Sequence, residues 1–128
     1  MHILKIQSKS LTELIDITQL VQKELDLMNS KDGVATIYVP HTTAGITLNE
    51  GADPAVKSDI LKVFNEIIPW KFGYKHMEGN SPAHIKTSVM GSSVQVIVEN
   101  GTLMLGTWQR IFFCEFDGPR NRKAWIKI

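Results

Sequence analysis

The last third of the chain is a succession of short apolar runs separated by turn residues, and this pattern limits the fold more than any other feature. The longest run is Trp108 to Phe116, which ends at the turn Asp117-Gly118-Pro119. Another run, Val94 to Glu99, ends at Asn100-Gly101, a strong tight-hairpin signal. Runs of β-branched and aromatic residues bounded by such turns predict antiparallel strands. The further predicted strands are His2 to Gln7, Val34 to Val39, Ile85 to Met90 and Lys123 to Ile128.

Two segments have helical spacing instead. Apolar residues recur at helical intervals from Ile17 to Met28, and Asp16 with Gln19 resembles a capping pair at the start. Asp53-Pro54 predicts the start of a second helix, with aspartate as the N-cap and proline in the first position. Two helices among about seven strands predict an α+β fold with a largely antiparallel, β-sandwich-like core. A length of 128 residues fits one domain spanning residues 1–128.

Composition excludes several classes of function. Fourteen Lys and Arg against thirteen Asp and Glu leave a net charge of +1, which gives no electrostatic footprint for nucleic acid. No stretch approaches the ~18 apolar residues of a membrane span. The single cysteine, Cys114, lies in an apolar run and is expected to be a buried small hydrophobe rather than a nucleophile. The first residues lack a signal-peptide pattern, so we expect a cytoplasmic protein.

Three of the four histidines occupy polar segments. His76 and His84 lie within Tyr74 to His84, a segment that Gly79 and Pro82 mark as a loop, and His41 opens a second polar stretch. Neutral imidazole binds metals and moves protons near neutral pH. Three histidines supply the ligand number of a catalytic zinc site, but their spacing matches no metal motif. They could equally cap turns or face solvent.

Polar residues beside the histidines offer further contacts. Thr42 and Thr43 belong to a stretch of small and hydroxyl residues that allows a ligand to approach the backbone. Asn49 and Glu50 precede the predicted second helix. Glu50 could serve as a general base, a metal ligand or a plain surface charge.

The longest strand carries polar residues on an otherwise apolar face. Alternation places Gln109, Ile111, Phe113 and Glu115 together, so Gln109 and Glu115 need polar partners if they are buried. A binding site or a solvent-facing edge would each provide them. Arg120, in the turn that follows, could grip a phosphate group in bidentate fashion.

Three blocks of sequence together resemble the YjbQ family, whose members are often described as secondary thiamine-phosphate synthase enzymes. The blocks are His41-Thr42-Thr43-Ala44-Gly45 with Asn49-Glu50, Tyr74 to His84, and Leu105 to Arg120. The resemblance implies a β-sandwich-containing subunit that assembles as a homotrimer. It also implies a small phosphorylated substrate and a weak activity that joins a hydroxymethylpyrimidine diphosphate to a thiazole phosphate.

The resemblance further implies a divalent metal, with His41, His76 and His84 as ligands. Zinc suits three histidines, whereas a diphosphate substrate would favour magnesium. Under this hypothesis catalysis falls to Glu50, His84 and Asp117, and substrate binding to Thr42, Thr43, Asn49, Asn80, Gln109 and Arg120. Zinc more naturally activates water, so a metal-dependent hydrolase of a phosphorylated or ester substrate is an alternative. A non-catalytic oligomer that binds a metabolite or metal is a third.

Overall fold

A computed structural model of the protein describes all 128 residues and contains eight strands and three helices. The strands form a five-stranded sheet in the order β1-β8-β3-β5-β6 and a three-stranded sheet in the order β2-β7-β4, and all neighbouring strands are antiparallel. The predicted α+β class and antiparallel core are therefore confirmed. The elements are β1 (His2–Gln7), β2 (Glu13–Asp16), α1 (Thr18–Met28), β3 (Gly33–Tyr38), β4 (Ala44–Glu50), α2 (Pro54–Ile67), α3 (Ser81–Met90), β5 (Ser93–Glu99), β6 (Thr102–Leu103), β7 (Gln109–Glu115) and β8 (Asn121–Lys127).

The main core lies between the two sheets. Leu4, Ile37 and Ile126 of the larger sheet belong to the same buried cluster as Ile111 and Phe113 of the smaller one. Burial of such side chains contributes about 1.5–3 kcal/mol each, so this interface is the main apolar contribution to stability. The two sheets therefore form a sandwich around one core, as the sequence pattern predicts.

Strand β7 is buried on both faces. Ile111 and Phe113 face the main core, whereas Phe112 and Cys114 belong with Phe116 to a second cluster. Partly buried residues of α2 and α3, including Phe64 and Met90, pack against this second cluster. The predicted division of β7 into two faces is confirmed, and its nearly continuous apolar sequence is explained by cover on both sides.

The two predicted helices form, with one correction at a cap. Asp53 accepts a hydrogen bond from the amide of Ala55 at 2.9 Å, and α2 begins at Pro54, as predicted. The predicted pairing of Asp16 with Gln19 at the start of α1 is wrong. Asp16 accepts from the amide of Thr18 at 3.0 Å instead, because the N-cap position is occupied by Ile17.

The predicted strand from Ile85 to Met90 is wrong, because these residues form most of a third helix, α3. The same helix takes in the end of the segment from Tyr74 to His84, which was predicted to be a loop. Its buried face contains Lys86 and Thr87, whereas Ile85 and Val89 are exposed. Apolar spacing fails as a guide here because two polar residues share the buried face with Pro82 and Ala83, while two β-branched apolar residues face solvent.

Lys86 supports a prediction about stability. Its side chain is only 2% exposed, and its ammonium donates to Asn65 Oδ1 at 2.6 Å without a carboxylate partner among its hydrogen bonds or ion pairs. Burial lowers its pKa from the ordinary lysine value. Lys86→Met should raise the free energy of unfolding at pH 7 by about 1 kcal/mol, because an apolar side chain of similar length needs no buried charge.

The effect should depend on pH. The cost of the buried charge is complete below the folded-state pKa and disappears as pH rises past the ordinary value, about 10.4. Urea unfolding at pH 7 and pH 10 measures the difference, with Lys62→Met, an exposed position on the neighbouring α2, as the control. A Lys86→Met variant less stable than that control at pH 7 would contradict the prediction.

Candidate functional site

A cavity of about 670 Å³ lies where the chain passes between the two sheets. One wall comes from the connection between β3 and β4, and another from the connection between β7 and β8. The third comes from the segment that leads into α3. The lining residues are Tyr38, Pro40, His41, Thr42, Thr43, His76, Glu78, Asn80, His84, Arg120, Arg122 and Trp125. The structure thus brings His41, His76 and His84 to one cavity, together with Thr42, Thr43, Asn80 and Arg120.

His76 and His84 form a close pair. Their ring centroids are 5.2 Å apart and the rings meet edge to face. His84 lies in the first turn of α3, and the loop before it turns at Gly79, whose φ of 77° suits glycine. The eight-residue spacing of the two histidines therefore becomes a pair only because the chain enters a helix between them.

His41 has a different setting. Its Nε2 accepts a hydrogen bond from the backbone amide of Lys123 at 2.9 Å. Burial first, and the nearby positive charge of Arg122 second, lower the pKa of His41. The ring is therefore neutral near pH 7, with its proton on Nδ1, because the Nε2 lone pair is in use. His41 would bind a metal through Nε2 only after giving up this hydrogen bond.

A chain of hydrogen bonds holds Asn80 and Arg120. Asp117 Oδ2 accepts from Asn80 Nδ2 at 2.8 Å and from an Arg120 terminal nitrogen at 3.0 Å. Arg120 Nε also donates to the Asp117 carbonyl at 2.8 Å. Asp117 is therefore placed to position the other two, while the half-exposed guanidinium of Arg120 stands at the cavity rim. The Oδ1 atom of Asn80 is buried and has no hydrogen-bond partner.

The buried pair Arg122 and Glu115 underlies the same cavity. Arg122 Nε donates to Glu115 Oε1 at 2.9 Å, and an Arg122 terminal nitrogen donates both to Glu115 Oε2 and to Thr43 Oγ1, the latter at 2.8 Å. Ser8 and the amide of Asp117 donate to the same carboxylate. Burial by itself raises the pKa of Glu115, but the hydrogen bonds from Arg122, Ser8 and Asp117 outweigh it, so the pKa is lowered. The carboxylate stays ionised at neutral pH.

Some lining residues were not expected from the sequence. Arg122 was not among the predicted site residues, although Glu115 was noted as an acid that needs a partner if buried. Tyr38 and Trp125 also line the cavity, and they are cross-strand partners with ring centroids 5.7 Å apart. Only the register between β3 and β8 places these two aromatic residues together, and no local signal reports it.

Asn49, Glu50 and Gln109 lie in a separate hollow of about 550 Å³, together with Trp108. Strand β4 runs from Ala44, near the histidines, to Glu50 at its other end, a distance of about 20 Å for an extended strand. Gln109 finds its partner locally, since its Oε1 accepts from the amide of Gly106 at 2.8 Å. Within one chain the structure does not bring these three predicted residues to the histidine cavity.

No group of three or more His, Cys, Asp and Glu side chains is arranged around a common point suited to a metal ion. His76 and His84 are the residues of the predicted ligand set that lie close to each other. Catalytic zinc sites have three protein ligands and an open fourth position, so this pair would supply two of the three. Metal binding by this pair therefore stays a prediction.

The cysteine and the apolar character of the helices agree with what the sequence predicts for them. Cys114 is fully buried, and burial raises its pKa to about 12, so it is a core residue as expected. None of the three helices has the length and apolar character that a bilayer crossing requires.

Comparisons with known proteins agree along the whole chain. The sequence model of the family described as UPF0047 protein YjbQ-like matches residues 2–128. The UPF0047 protein YugU of Bacillus subtilis is 55% identical over 126 residues, which are 98% of this chain and 96% of that protein. A UPF0047 protein of Methanocaldococcus jannaschii is 51% identical, with 97% of this chain and 90% of that protein covered. The crystal structure of an uncharacterized conserved protein of the YjbQ/UPF0047 family from Clostridium acetobutylicum gives a TM-score of 0.97 at 53% identity, covering 100% of this chain and 99% of that one.

The buried pair beneath the cavity supports a prediction. Arg122→Met should lower the free energy of unfolding at pH 7 by about 3–5 kcal/mol, because it leaves a buried carboxylate without its cation. Since the pKa of Glu115 is lowered on folding, its stabilising contribution is present above the unfolded-state pKa of about 4.3. It is lost as pH falls through the folded-state pKa.

The loss caused by Arg122→Met should therefore stay constant down to about pH 4.3 and narrow below that pH, which urea unfolding at several pH values measures. Lys127→Met, on the exposed side of the same strand, is the matched control. If both variants lose the same small amount at pH 7, the buried pair does not have this role.

Proposed function

The chain belongs to the YjbQ/UPF0047 family, and from that membership and the histidine cavity we propose that it is a cytoplasmic, thiamine-phosphate-synthase-like transferase. The family is one of uncharacterised function, so the proposal draws on the resemblance for the reaction and on the cavity for its chemistry. The observation that carries it is the convergence of His41, His76 and His84 with Arg120 on one cavity. Such a set supplies several donors and positive charge to a phosphorylated substrate.

The reaction makes clear demands on this cavity. The thiazole nitrogen attacks the methylene carbon of the pyrimidine diphosphate, a C–N bond forms, the C–O bond breaks, and diphosphate leaves with the electron pair. The leaving group accumulates negative charge in the transition state, so fixed donors and cations beside it lower the barrier. Arg120, held by Asp117, is suited to bind the diphosphate, and His76 or His84 to donate a hydrogen bond to it.

Other residues would position the substrates. The Nδ1 proton of His41 can donate to a phosphate oxygen, since its Nε2 is held by Lys123. Asn80 lines the same cavity, and its side-chain amide is held in place by Asp117. Thr42 and Thr43 border the same cavity and offer hydroxyl donors.

The synthase proposal is tested by supplying both substrates. Wild-type protein with hydroxymethylpyrimidine diphosphate and thiazole phosphate should form thiamine phosphate, detected by chromatography. His84→Ala should lower kcat by about 100-fold, the scale of one lost general acid. His2→Ala, which removes the one histidine outside the cavity and its contact with Glu24, is the control. Product formation by His84→Ala at the wild-type rate would contradict the assignment.

A metal-dependent hydrolase is the second candidate, and the close His76–His84 pair favours it. These two side chains would hold the ion, and a bound zinc would supply an activated water at neutral pH. Elemental analysis should find about one zinc per chain, lost in His76→Ala and His84→Ala but retained in His2→Ala. Magnesium, bound with a diphosphate substrate, would instead appear only in the ternary complex.

These experiments distinguish the transferase from the metal-dependent hydrolase and from a non-catalytic binding protein. Hydrolysis of phosphate or carboxylate esters without condensation would favour the hydrolase. Tight binding of a metabolite or metal without turnover would favour a non-catalytic role. Metal content that is unchanged when both His76 and His84 are replaced would contradict the proposed metal site.

We also propose that the protein acts as a homotrimer in which a neighbouring subunit supplies Asn49, Glu50 and Gln109 to the histidine cavity. The separation of about 20 Å within one chain supports this arrangement, because these residues could serve the cavity only from another copy. Exposed apolar residues offer surfaces for assembly: Ile3, Val34 and Ile97 on the outer face of the larger sheet, and Val63 and Ile67 on α2.

Sedimentation at three times the 14.4 kDa chain mass is expected. Mixed oligomers of Glu50→Gln and His84→Ala chains should have more synthase activity than either variant alone, because some interfaces then pair an intact Glu50 with an intact His84. Mixing His76→Ala with His84→Ala, which damages the same wall twice, should recover nothing. Monomer sedimentation would contradict the trimer, and equal behaviour of the two mixtures would contradict the shared site.

A further inference from the structure

Three aromatic residues between α2 and α3 lie outside both hydrophobic clusters. Trp70, Phe72 and Tyr74 follow one another at every second position, and Phe72 is 72% exposed. Exposing this much aromatic surface stabilises nothing in the isolated chain, since the apolar area stays in water. Aromatic side chains that the core does not use point to a ligand or a partner.

These residues surround a hollow of about 470 Å³. Its lining also includes Lys71, Gly73, Gly79 and His76. The Phe72 and Tyr74 rings are 6.0 Å apart and tilted by 42°, and the Tyr74 hydroxyl donates to the carbonyl of Pro69. Gly73 and Gly79 both have positive φ values, and a Cβ at either position would meet no atom within 4 Å. The loop is therefore shaped by its backbone and its hydrogen bonds, and space is left beside the rings.

His76 connects this hollow to the histidine cavity. It lines both the hollow and the histidine cavity, and it also lines a third depression together with Tyr74 and His84. A small molecule seated in the hollow would therefore lie beside a residue of the histidine cavity. This shared residue favours a substrate over an unrelated partner as the occupant.

We propose that the Trp70–Phe72–Tyr74 hollow binds a planar aromatic ring of an anionic substrate whose phosphate group lies among the histidines. This inference rests on the proposed function and adds where the ring is recognised. Flat rings gain from stacking against aromatic faces, and the Lys71 ammonium in the lining complements a negatively charged molecule. An aliphatic group of equal size would gain the free energy of burying apolar surface but not that of stacking.

The Tyr38–Trp125 pair is the competing location for such a ring. Those two rings already stack on each other at 5.7 Å with an interplanar angle of 30°, so each has one face occupied. The rings of the hollow are less fully engaged, since Phe72 and Tyr74 are tilted and Trp70 is in no ring pair. The Trp70–Phe72–Tyr74 hollow is therefore the better binding site for the substrate ring.

The test compares three probes that differ only beyond the phosphate: phenyl phosphate, cyclohexyl phosphate and inorganic phosphate. Isothermal titration should show that phenyl phosphate binds about tenfold more tightly than cyclohexyl phosphate, the scale of one stacked ring. Phe72→Leu and Trp70→Leu should each reduce this preference several-fold and leave the affinity for inorganic phosphate unchanged. Leu27→Ala, which changes an exposed apolar residue on α1 away from both hollows, should change neither value.

Each other outcome overturns the inference in a recognisable way. Equal binding of the phenyl and cyclohexyl probes, with inorganic phosphate still bound, removes the ring site and leaves the proposed function standing. A preference lost in Tyr38→Leu but not in Phe72→Leu moves the ring to the other aromatic pair. Dissociation of the oligomer by Phe72→Leu would mean that a second copy fills the hollow. Failure of wild-type protein to bind any of the three probes contradicts the phosphate cavity of the proposed function, and the ring site fails with it.

Discussion

The buried pair of Arg122 and Glu115 is the interaction on which the cavity depends. It joins β8 of the larger sheet to β7 of the smaller one, and its remaining hydrogen bonds reach Ser8 after β1 and Thr43 before β4. A buried charge pair contributes little net stability when its desolvation is counted, but breaking it is costly. Its effect is therefore mainly positional, because it allows only one arrangement of the segments that carry His41, Asp117 and Arg120.

The candidate site combines elements of different origin. His41 is tied to the backbone of β8, Arg120 and Asn80 are tied to Asp117, and His76 and His84 depend on the start of α3. His41, Asn80 and Arg120 are held by hydrogen bonds to strands of the sandwich or to the connections between them. The pair of His76 and His84 belongs instead to the loop and helix that cover the sandwich. A ligand that touches all three histidines would bridge a rigid part of the molecule and a part with fewer core contacts.

Local signals predicted the elements that local physics determines. Asp53-Pro54 marked the start of α2, and Asn100-Gly101 marked the hairpin between β5 and β6. The alternation from Trp108 to Phe116 correctly divided the side chains of β7 between two faces. Helix α3 was not predicted, because its buried face includes Lys86 and Thr87 and the spacing of its apolar residues is therefore misleading. The histidines were identified as candidates, but the separation of Glu50 and Gln109 from them depends on the length of β4. The pairing of Arg122 with Glu115 depends on tertiary contacts that no local pattern reports.

The position of the cavity beside two connections between the sheets has a mechanical consequence. Both connections that line it, from β3 to β4 and from β7 to β8, are places where the chain crosses from one sheet to the other. Any sliding of the sheets against each other changes the distances between His41 and Arg120. A ligand held by both connections would link the two sheets. Its binding free energy would then add to the free energy of unfolding of the whole domain.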